Sequence, residues 1–290
     1  MNAAVYNIAG HTIQISGKGL GALSGFDFFI SENTDQEPLL VIDTEAAVHD
    51  WVNSPFYTVG NEKTFYNLSA GNNAYLFRLK LSEDNSLQAE IRRENNCFQA
   101  AVRQRGIIND VWLHCACELL FNIAALSRQT VSIHSSAMVI HGKSILFLGE
   151  SGTGKSTQSH LWLNHLPDTE LLNDDSPFIR VETGGNIRVH GSPWSGKTPC
   201  YKNTSNPIAA FVRLSQAPHN RIRRLKGAEA IGALLPSFPP SLLHDKKLAE
   251  SIYSVVSQTL QQTPVYQLEC LPDAGAVELV YSTLLQDRFL

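Results

Sequence analysis

The sequence predicts an α/β chain of α+β character: a β-rich first region, then a second region in which strands and helices mix around a glycine-rich loop. Three observations support this reading. Short alternating or β-rich runs fill residues 3–102, helical periodicity sets in at Val111, and the loop Gly149–Ser156 stands between an apolar strand and an amphipathic helix. The chain has 290 residues, of which 43% are hydrophobic and 17% charged, enough to build a substantial core. Its 23 Lys and Arg stand against 27 Asp and Glu, a formal charge of −4. That balance gives no broad positive field, so neither nucleic acid nor an anionic membrane is expected as a partner.

In the first region the runs YNIAGHTIQIS, FDFFIS, LLVIDT, AYLFRLKL, LQAEIRR and FQAAVRQ are separated by Gly, Asn, Asp and Pro, and they read as a mostly antiparallel sheet. The stretch VWLHCACELLFNIAALSR places Val111, Leu113, Ala116, Leu119, Leu120, Ile123 and Ala124 at helical spacing. A long buried helix over about 111–127 is therefore expected to bridge a β-rich region, 1–110, and a second domain, 111–290. In that second domain SIHSSAMVI, HGK and SILFLGE read as strand, tight turn and strand. The glycine-rich SGTGKS follows, then a helix through about His165 and a short strand ending at Asp174 and Asp175. Next come a hairpin, FIRVETGGNIRVH, turning at Gly184–Gly185, and the loop GSPWSGK. Two strands (AAFVRLS, RIRRL), a helix (GAEAIGALL), a long helix from about Leu242 to Gln261, a strand (VYQLEC) and a helix from Ala274 complete the chain. The stretch PSFPPS at 236–241 reads as joining two elements of one domain.

The five cysteines, Cys97, Cys115, Cys117, Cys200 and Cys270, lack C-x-x-C spacing and read as reduced thiols. The first twenty residues lack a basic stretch followed by an apolar one, and no later segment approaches the roughly 18 apolar residues that span a bilayer. The expected location is cytoplasmic.

The residues that carry chemistry cluster in the second region. Gly149 to Ser156 fits G-x-x-x-x-G-K-[ST], in which glycines let successive backbone N–H groups turn inward around phosphate oxygens at a helix N-terminus. Lys155 would pair with the β- and γ-phosphates of a nucleotide, and the Ser156 hydroxyl would face Mg²⁺, a hard cation that prefers oxygen ligands. Gly149, Glu150, Ser151, Gly152, Thr153, Gly154, Lys155, Ser156 and Thr157 form the candidate nucleotide-binding set, and Lys197 in GSPWSGK is a further phosphate contact. Trp194 of the same loop is read as a shield over the site. Asp174 and Asp175 lie 18 residues beyond Ser156, the length of one helix and a return. One carboxylate there can hold Mg²⁺ and the other can accept the proton of an attacking hydroxyl, in either assignment. If the strands of the preceding hairpin pair around His141–Lys143, His134 falls at the same end of the sheet, where an imidazole can meet phosphate or substrate.

Other features read as structural. Asp43 ends a plain strand, GKGLGALSG is a loop, and His114, Cys115 and Cys117 belong to the core of a helix. Arg221, Arg223, Arg224 and Lys226 form the main basic cluster, read either as a solvated strand face or as an acceptor for phosphate or an acidic segment.

A histidine in the strand hairpin, G-E-S-G-T-G-K-S and an Asp-Asp pair one helix later resemble the HPr kinase/phosphorylase family and, more distantly, the ATP-dependent phosphoenolpyruvate carboxykinases. That likeness covers about residues 130–200. GSPWSGK, AAFVRLSQAPHNRIRRLKGAEAIGALL and PVYQLECLPDAGAVELV are similar to the small HPr-kinase-like proteins associated with peptide-modifying gene clusters, and this second likeness runs to the C-terminus. The resemblance implies a P-loop domain with a mixed sheet and a kinase that uses ATP and Mg²⁺ to phosphorylate a hydroxyl on a peptide, protein or small molecule. It implies nucleotide and metal roles for Lys155 and Ser156, metal and base roles for Asp174 and Asp175, and a place near the phosphates for His134. Homo-oligomers are known in the family. The family's Glu-Ile-Arg-Gly signature would fall near Arg188–Gly191, where its Glu and Arg are absent. Two alternatives stand beside the kinase reading: a non-catalytic nucleotide-binding or peptide-recognition partner, and a phosphorylase or phosphatase of a phosphoserine substrate.

Overall fold

The computed structural model describes residues 3–19, 23–33, 35–49, 53–61, 65–106, 110–196 and 198–290. It is mixed α/β, with two mixed sheets and, among the described residues, five α-helices. The chain divides into two compact units, one of Met1–Ser127 with Ser241–Ala249 and one of Arg128–Pro240 with Glu250–Leu290. Among the described residues no helix is long and apolar enough to cross a membrane.

Among the described residues the first unit is built on eight strands: β1 (Ala3–Ile8), β2 (His11–Ser16), β3 (Leu40–Asp43), β4 (Tyr57–Gly60), β5 (Phe65–Gly71), β6 (Ala74–Lys80), β7 (Ser86–Glu94) and β8 (Cys97–Arg105). They lie in the order β1-β2-β3-β8-β7-β6-β5-β4. Most neighbours are antiparallel hairpins, but β3 runs parallel to both β2 and β8. Parallel pairing needs a long crossover, which residues 17–39 supply between β2 and β3. The tight hairpins follow from local chemistry: at Ala9–Gly10 both residues hold positive φ, 51° and 75°, which matches the twist of the strands they join.

Helix α1 (Asp110–Leu126) packs on β7 and β8 and belongs to this first unit. Of the apolar positions read from the sequence it buries Leu113, Ala116, Leu119, Leu120, Ile123 and Ala124, whereas Val111, in its first turn, is 56% exposed. Cys117 is buried, and that burial pushes its thiol up to about 12, which leaves it unreactive. Cys115, read as core, is instead exposed.

The second unit holds β9 (Thr130–Ser132), β10 (Ser135–Ile140), β11 (Lys143–Leu148), α2 (Lys155–His165), β12 (Glu170–Asp175), β13 (Phe178–Val181), β14 (Ile187–His190), β15 (Ser205–Gln216), β16 (Arg221–Leu225) and α3 (Ala228–Leu234). After α4 (Lys246–Gln262) come β17 (Val265–Cys270) and α5 (Ala274–Gln286). Among the described residues its strands run β12-β10-β11-β15-β14-β13-β9, with β17 on β15 and β16 on β17. Strand β15 organises the sheet: Ser205–Pro207 pair antiparallel with β14, whereas the later residues pair parallel with β11 on one side and β17 on the other.

The core of this unit joins Met138, Ile145 and Phe147 of the hairpin to Val212, Tyr266 and Leu268 of the neighbouring strands and to Val277, Val280 and Leu284 of α5. Trp162 is the apolar anchor of α2, fully buried, with its ring 5.7 Å from that of Phe147. Truncating such a side chain costs about 3–5 kcal/mol, so α2 is pinned to the sheet chiefly by this residue. The stretch at 236–241, read as internal to one domain, instead carries the chain out of the second unit at Pro240. The long helix read from Leu242 begins at Lys246, because the Asp245 carboxylate accepts from the Lys247 and Leu248 amides at 3.0 Å and caps it there.

Candidate functional site

The hairpin β10–β11 turns through His141 and Gly142, with φ of 50° and 72°, and this two-residue turn fixes the register. Ser135 then stands opposite Leu148, and on the other side of β10 Ser135 and Ser136 stand opposite Asp175 and Asp174. One end of the sheet thus gathers three things: the strand that feeds the glycine loop, the approach to His134, and the two aspartates.

Between Leu148 and α2 the chain turns through Gly149, Gly152 and Gly154, all at positive φ. At Gly149 (φ 154°) an added Cβ would lie 2.3 Å from Thr153 Oγ1, so a side chain there collides with the loop itself. Thr153 closes the turn from within, its amide and hydroxyl donating to Glu150 O at 3.2 and 2.8 Å. Gly154 stands at the N-cap of α2 and offers no side-chain cap, which leaves the first helical amides open to an anionic ligand.

The Lys155 ammonium folds back over this loop. It donates to Gly149 O at 2.8 Å, to Glu150 O at 3.3 Å and to His134 Nε2 at 2.9 Å. With Nε2 accepting from an ammonium, His134 carries its proton on Nδ1, which lies 3.0 Å from Asp175 Oδ1. Lys155, His134 and Asp175 therefore form one hydrogen-bonded chain. Ser156 Oγ donates to Asp174 Oδ2 at 3.2 Å. Burial holds the Lys155 ammonium below the ordinary lysine range; Asp175, Asp174 and Glu150 oppose that shift, and Arg213 adds to it.

The two aspartates differ in setting. Asp174 is 6% exposed, whereas the Asp175 side chain is 43% exposed. Asp175 also holds φ at 140°, a region that favours glycine, and it bridges to Ser195. Around them the loop 191–196 is fastened down: Gly196 N donates to Asp174 O at 2.5 Å, and Ser195 Oγ to the same oxygen at 3.4 Å.

The anchor of that loop is a residue sequence reasoning did not select. Asn173 is fully buried; its amide nitrogen faces Trp194 O at 3.0 Å, Ser192 O and Oγ at 3.3 Å and Cys200 O at 3.4 Å, and its Oδ1 accepts from Ser176 N at 3.0 Å. Trp194, read as a shield over the site, is instead 3% exposed and packed 5.6 Å from the Phe178 ring. An indole of that size is worth more to the fold under the loop than over it. Lys197 lies outside the described residues.

Two more polar residues were missed. Arg213, opposite Leu148 on β15, reaches Glu150 Oε1 at 3.2 Å, and Gln216 donates to Gly152 O at 3.1 Å. An arginine interrupting the apolar run AAFVRLS was the available signal for the first. Ser151, Ser156 and Thr157 are exposed on the loop and the first turn of α2. A cavity of about 600 Å³ opens beside them, lined in part by Gly152, Gly154, Thr157, Gln216, Leu271 and Pro272.

Comparison with known proteins adds little to this geometry. No family model matches the sequence, and no curated protein matches it. A solved structure, that of the Hpr(Ser) kinase/phosphatase from Coxiella burnetii, is similar over 54% of this chain and 95% of that one, at 12% identity and a TM-score of 0.31. The chemistry of the site therefore rests on its own residues.

Among the described residues no three His, Cys, Asp or Glu side chains form a group that could hold a metal ion. The Ser156 hydroxyl and the Asp174 carboxylate offer two hard oxygens side by side. That donor set suits Mg²⁺, which takes one or two protein oxygens and completes its shell with water and substrate phosphates.

Proposed function

We propose that the second unit is an HPr-kinase-like phosphotransferase, using ATP and Mg²⁺ to phosphorylate a hydroxyl group on a peptide or protein. The observation that carries this reading is the pair of contacts Lys155–His134–Asp175 and Ser156–Asp174, which sets an ammonium, open helix amides and two carboxylates at one sheet end.

In this reading the amides of residues 152–156 and the Lys155 ammonium hold the triphosphate, and the cavity beside Thr157 takes the nucleoside. Mg²⁺ held by Ser156 and Asp174 would neutralise charge on the phosphates and fix their orientation. The buried Asp174 suits that role, and the half-exposed Asp175 suits the other: it accepts the proton as the acceptor hydroxyl attacks. The acceptor O–P bond forms, the γ-phosphorus to bridging-oxygen bond breaks, and ADP leaves with the electron pair. His134, joined to both Lys155 and Asp175, keeps the base aligned with the phosphates. Position and charge supply the catalysis.

The test is ADP formation from Mg²⁺-ATP with a panel of serine- and threonine-containing peptides, beside the double variant Asp174→Asn, Asp175→Asn. Acceptor-dependent turnover that the variant lacks supports the kinase. ATP binding without turnover in the wild type would make the nucleotide a ligand of a binding protein instead.

A further inference from the structure

A second cleft in this unit, of about 640 Å³, shares no lining residue with the candidate phosphate site. It is lined by the end of β16, one face of α3 and one face of α4, where Tyr253, Val256, Ser257 and Leu260 recur at helical spacing. Its apolar surface runs from buried Leu225, Ala230 and Val256 out to Ile231 and Tyr253, which are 46% and 48% exposed. A folded unit gains nothing from leaving two large apolar side chains in water beside an open cleft.

The charges are one-sided. Arg224 and Lys226 are the charged residues of the lining, and no carboxylate joins them. Glu229 of α3 is engaged elsewhere, by Arg223 at 2.9 Å. The Arg224 guanidinium is held over the Phe289 ring at 5.2 Å, outside the lining, so the charge at this end of the cleft is that of Lys226. Arg224 and Lys226 flank Leu225, which pairs with Val265, just beyond the end of α4. Tyr253 lies nine residues before the helix ends at Gln262, about 13 Å along its axis. The cleft is thus an apolar track with a cationic end, about as long as four extended residues.

We propose that this cleft docks a peptide segment in which a short apolar run ends in acidic residues. Charge complementarity sets the sign of the occupant, and the continuation of apolar surface from the floor onto the rim sets its extended form. Lys226, at the end of the basic cluster Arg221–Lys226, thereby acquires a role.

The experiment uses the full chain and fluorescence anisotropy. The probes are fluorescein-labelled octapeptides with a leucine and phenylalanine core, carrying two aspartates, two lysines or two glutamines at either end. The expected result is saturable binding of an acidic peptide at least about tenfold tighter than its lysine counterpart, weakening as salt rises. Lys226→Glu should reverse that preference, Tyr253→Ser should weaken binding about tenfold, and Lys155→Ala should leave it unchanged. Both substituted cleft residues are exposed, and a thermal melt checks each fold. Equal binding of acidic and basic peptides, or indifference to Lys226→Glu and Tyr253→Ser, would overturn the proposal. So would saturable binding of dodecanoate with no binding of any peptide, since the occupant would then be a small anionic amphiphile.

Discussion

Replacing Asn173 by Ala tests whether the aspartates are positioned by the loop folded around them. The side chain has two N–H groups and one acceptor in use, and four oxygens compete for the donors, with Trp194 O nearest at 3.0 Å. At most two donated bonds and the one accepted from Ser176 N are lost. At about 1 kcal/mol for each buried bond the loss is about 3 kcal/mol, within a range of about 2–4 set by the groups left unpaired and by the ties Ser192 still provides. That energy appears locally, because the bonds hold Ser192, Trp194 and Cys200 against the end of β12. The assay is hydrogen exchange of peptides spanning 191–202 and 170–178. A local cost of about 2–4 kcal/mol corresponds to roughly 30- to 900-fold faster exchange of the Gly196 and Ser176 amides. Affinity for Mg²⁺-ATP should fall as well, since Asp174 loses its fixed place. Protection unchanged within about threefold would refute the reasoning, whatever happened to the affinity.

Lys155→Ala should raise the dissociation constant for ATP about 10- to 150-fold, the worth of charge-assisted bonds of about 1.5–3 kcal/mol, measured by calorimetric titration. Because burial depresses that ammonium, wild-type phosphate affinity should begin to fail, as pH rises, below the pH at which an exposed lysine loses its proton; an alkaline limit at the ordinary lysine value would contradict this. Gly149→Ala meets both the φ of 154° and the Thr153 hydroxyl, and should weaken ATP at least about tenfold with little change in the global melting temperature. Burial, with Arg180 and Arg188 nearby, pushes the His190 imidazole down to about 4. The unfolded chain therefore takes up a proton near pH 6.5 that the folded chain refuses until about pH 4, and stability falls across that window by up to about 3 kcal/mol. Above it His190 is neutral in both states and contributes nothing. Urea midpoints at about pH 7.5 and pH 5 measure the slope, and His190→Gln should flatten it; an equal slope in the variant would remove His190 as the cause.

What the sequence revealed was what local chemistry decides. The apolar run into Gly149, the turn at His141–Gly142 and the helix after Lys155 are short-range patterns, and the hairpin register that follows from them already brings His134 to the end of the strand that feeds the loop. The return of Asp174 and Asp175 one helix later was legible for the same reason. Long-range pairing was not: nothing in LLVIDT announces that β3 runs parallel to two neighbours, since that depends on where a crossover of more than twenty residues lands. Burial of a polar side chain was hidden too. Asn173 reads as the polar end of a strand, yet its amide holds a loop some twenty residues further along the chain. Trp194 looked like a lid because its neighbours are glycine, serine and proline, and only the Phe178 ring beneath it decides the matter. Arg213 stood in plain view inside an apolar strand, and its meaning came from Glu150, 63 residues earlier.

The central claim is that the Gly149–Ser156 loop and the two aspartates move a phosphoryl group. Phosphorus NMR of Mg²⁺-ATP with a serine-containing acceptor follows that group directly, in the wild type and in the double variant Asp174→Asn, Asp175→Asn. A phosphomonoester signal should grow with ADP in the wild type and be absent in the variant. A γ-phosphoryl signal that never leaves ATP with any acceptor, or one that leaves equally fast in the variant, would contradict it.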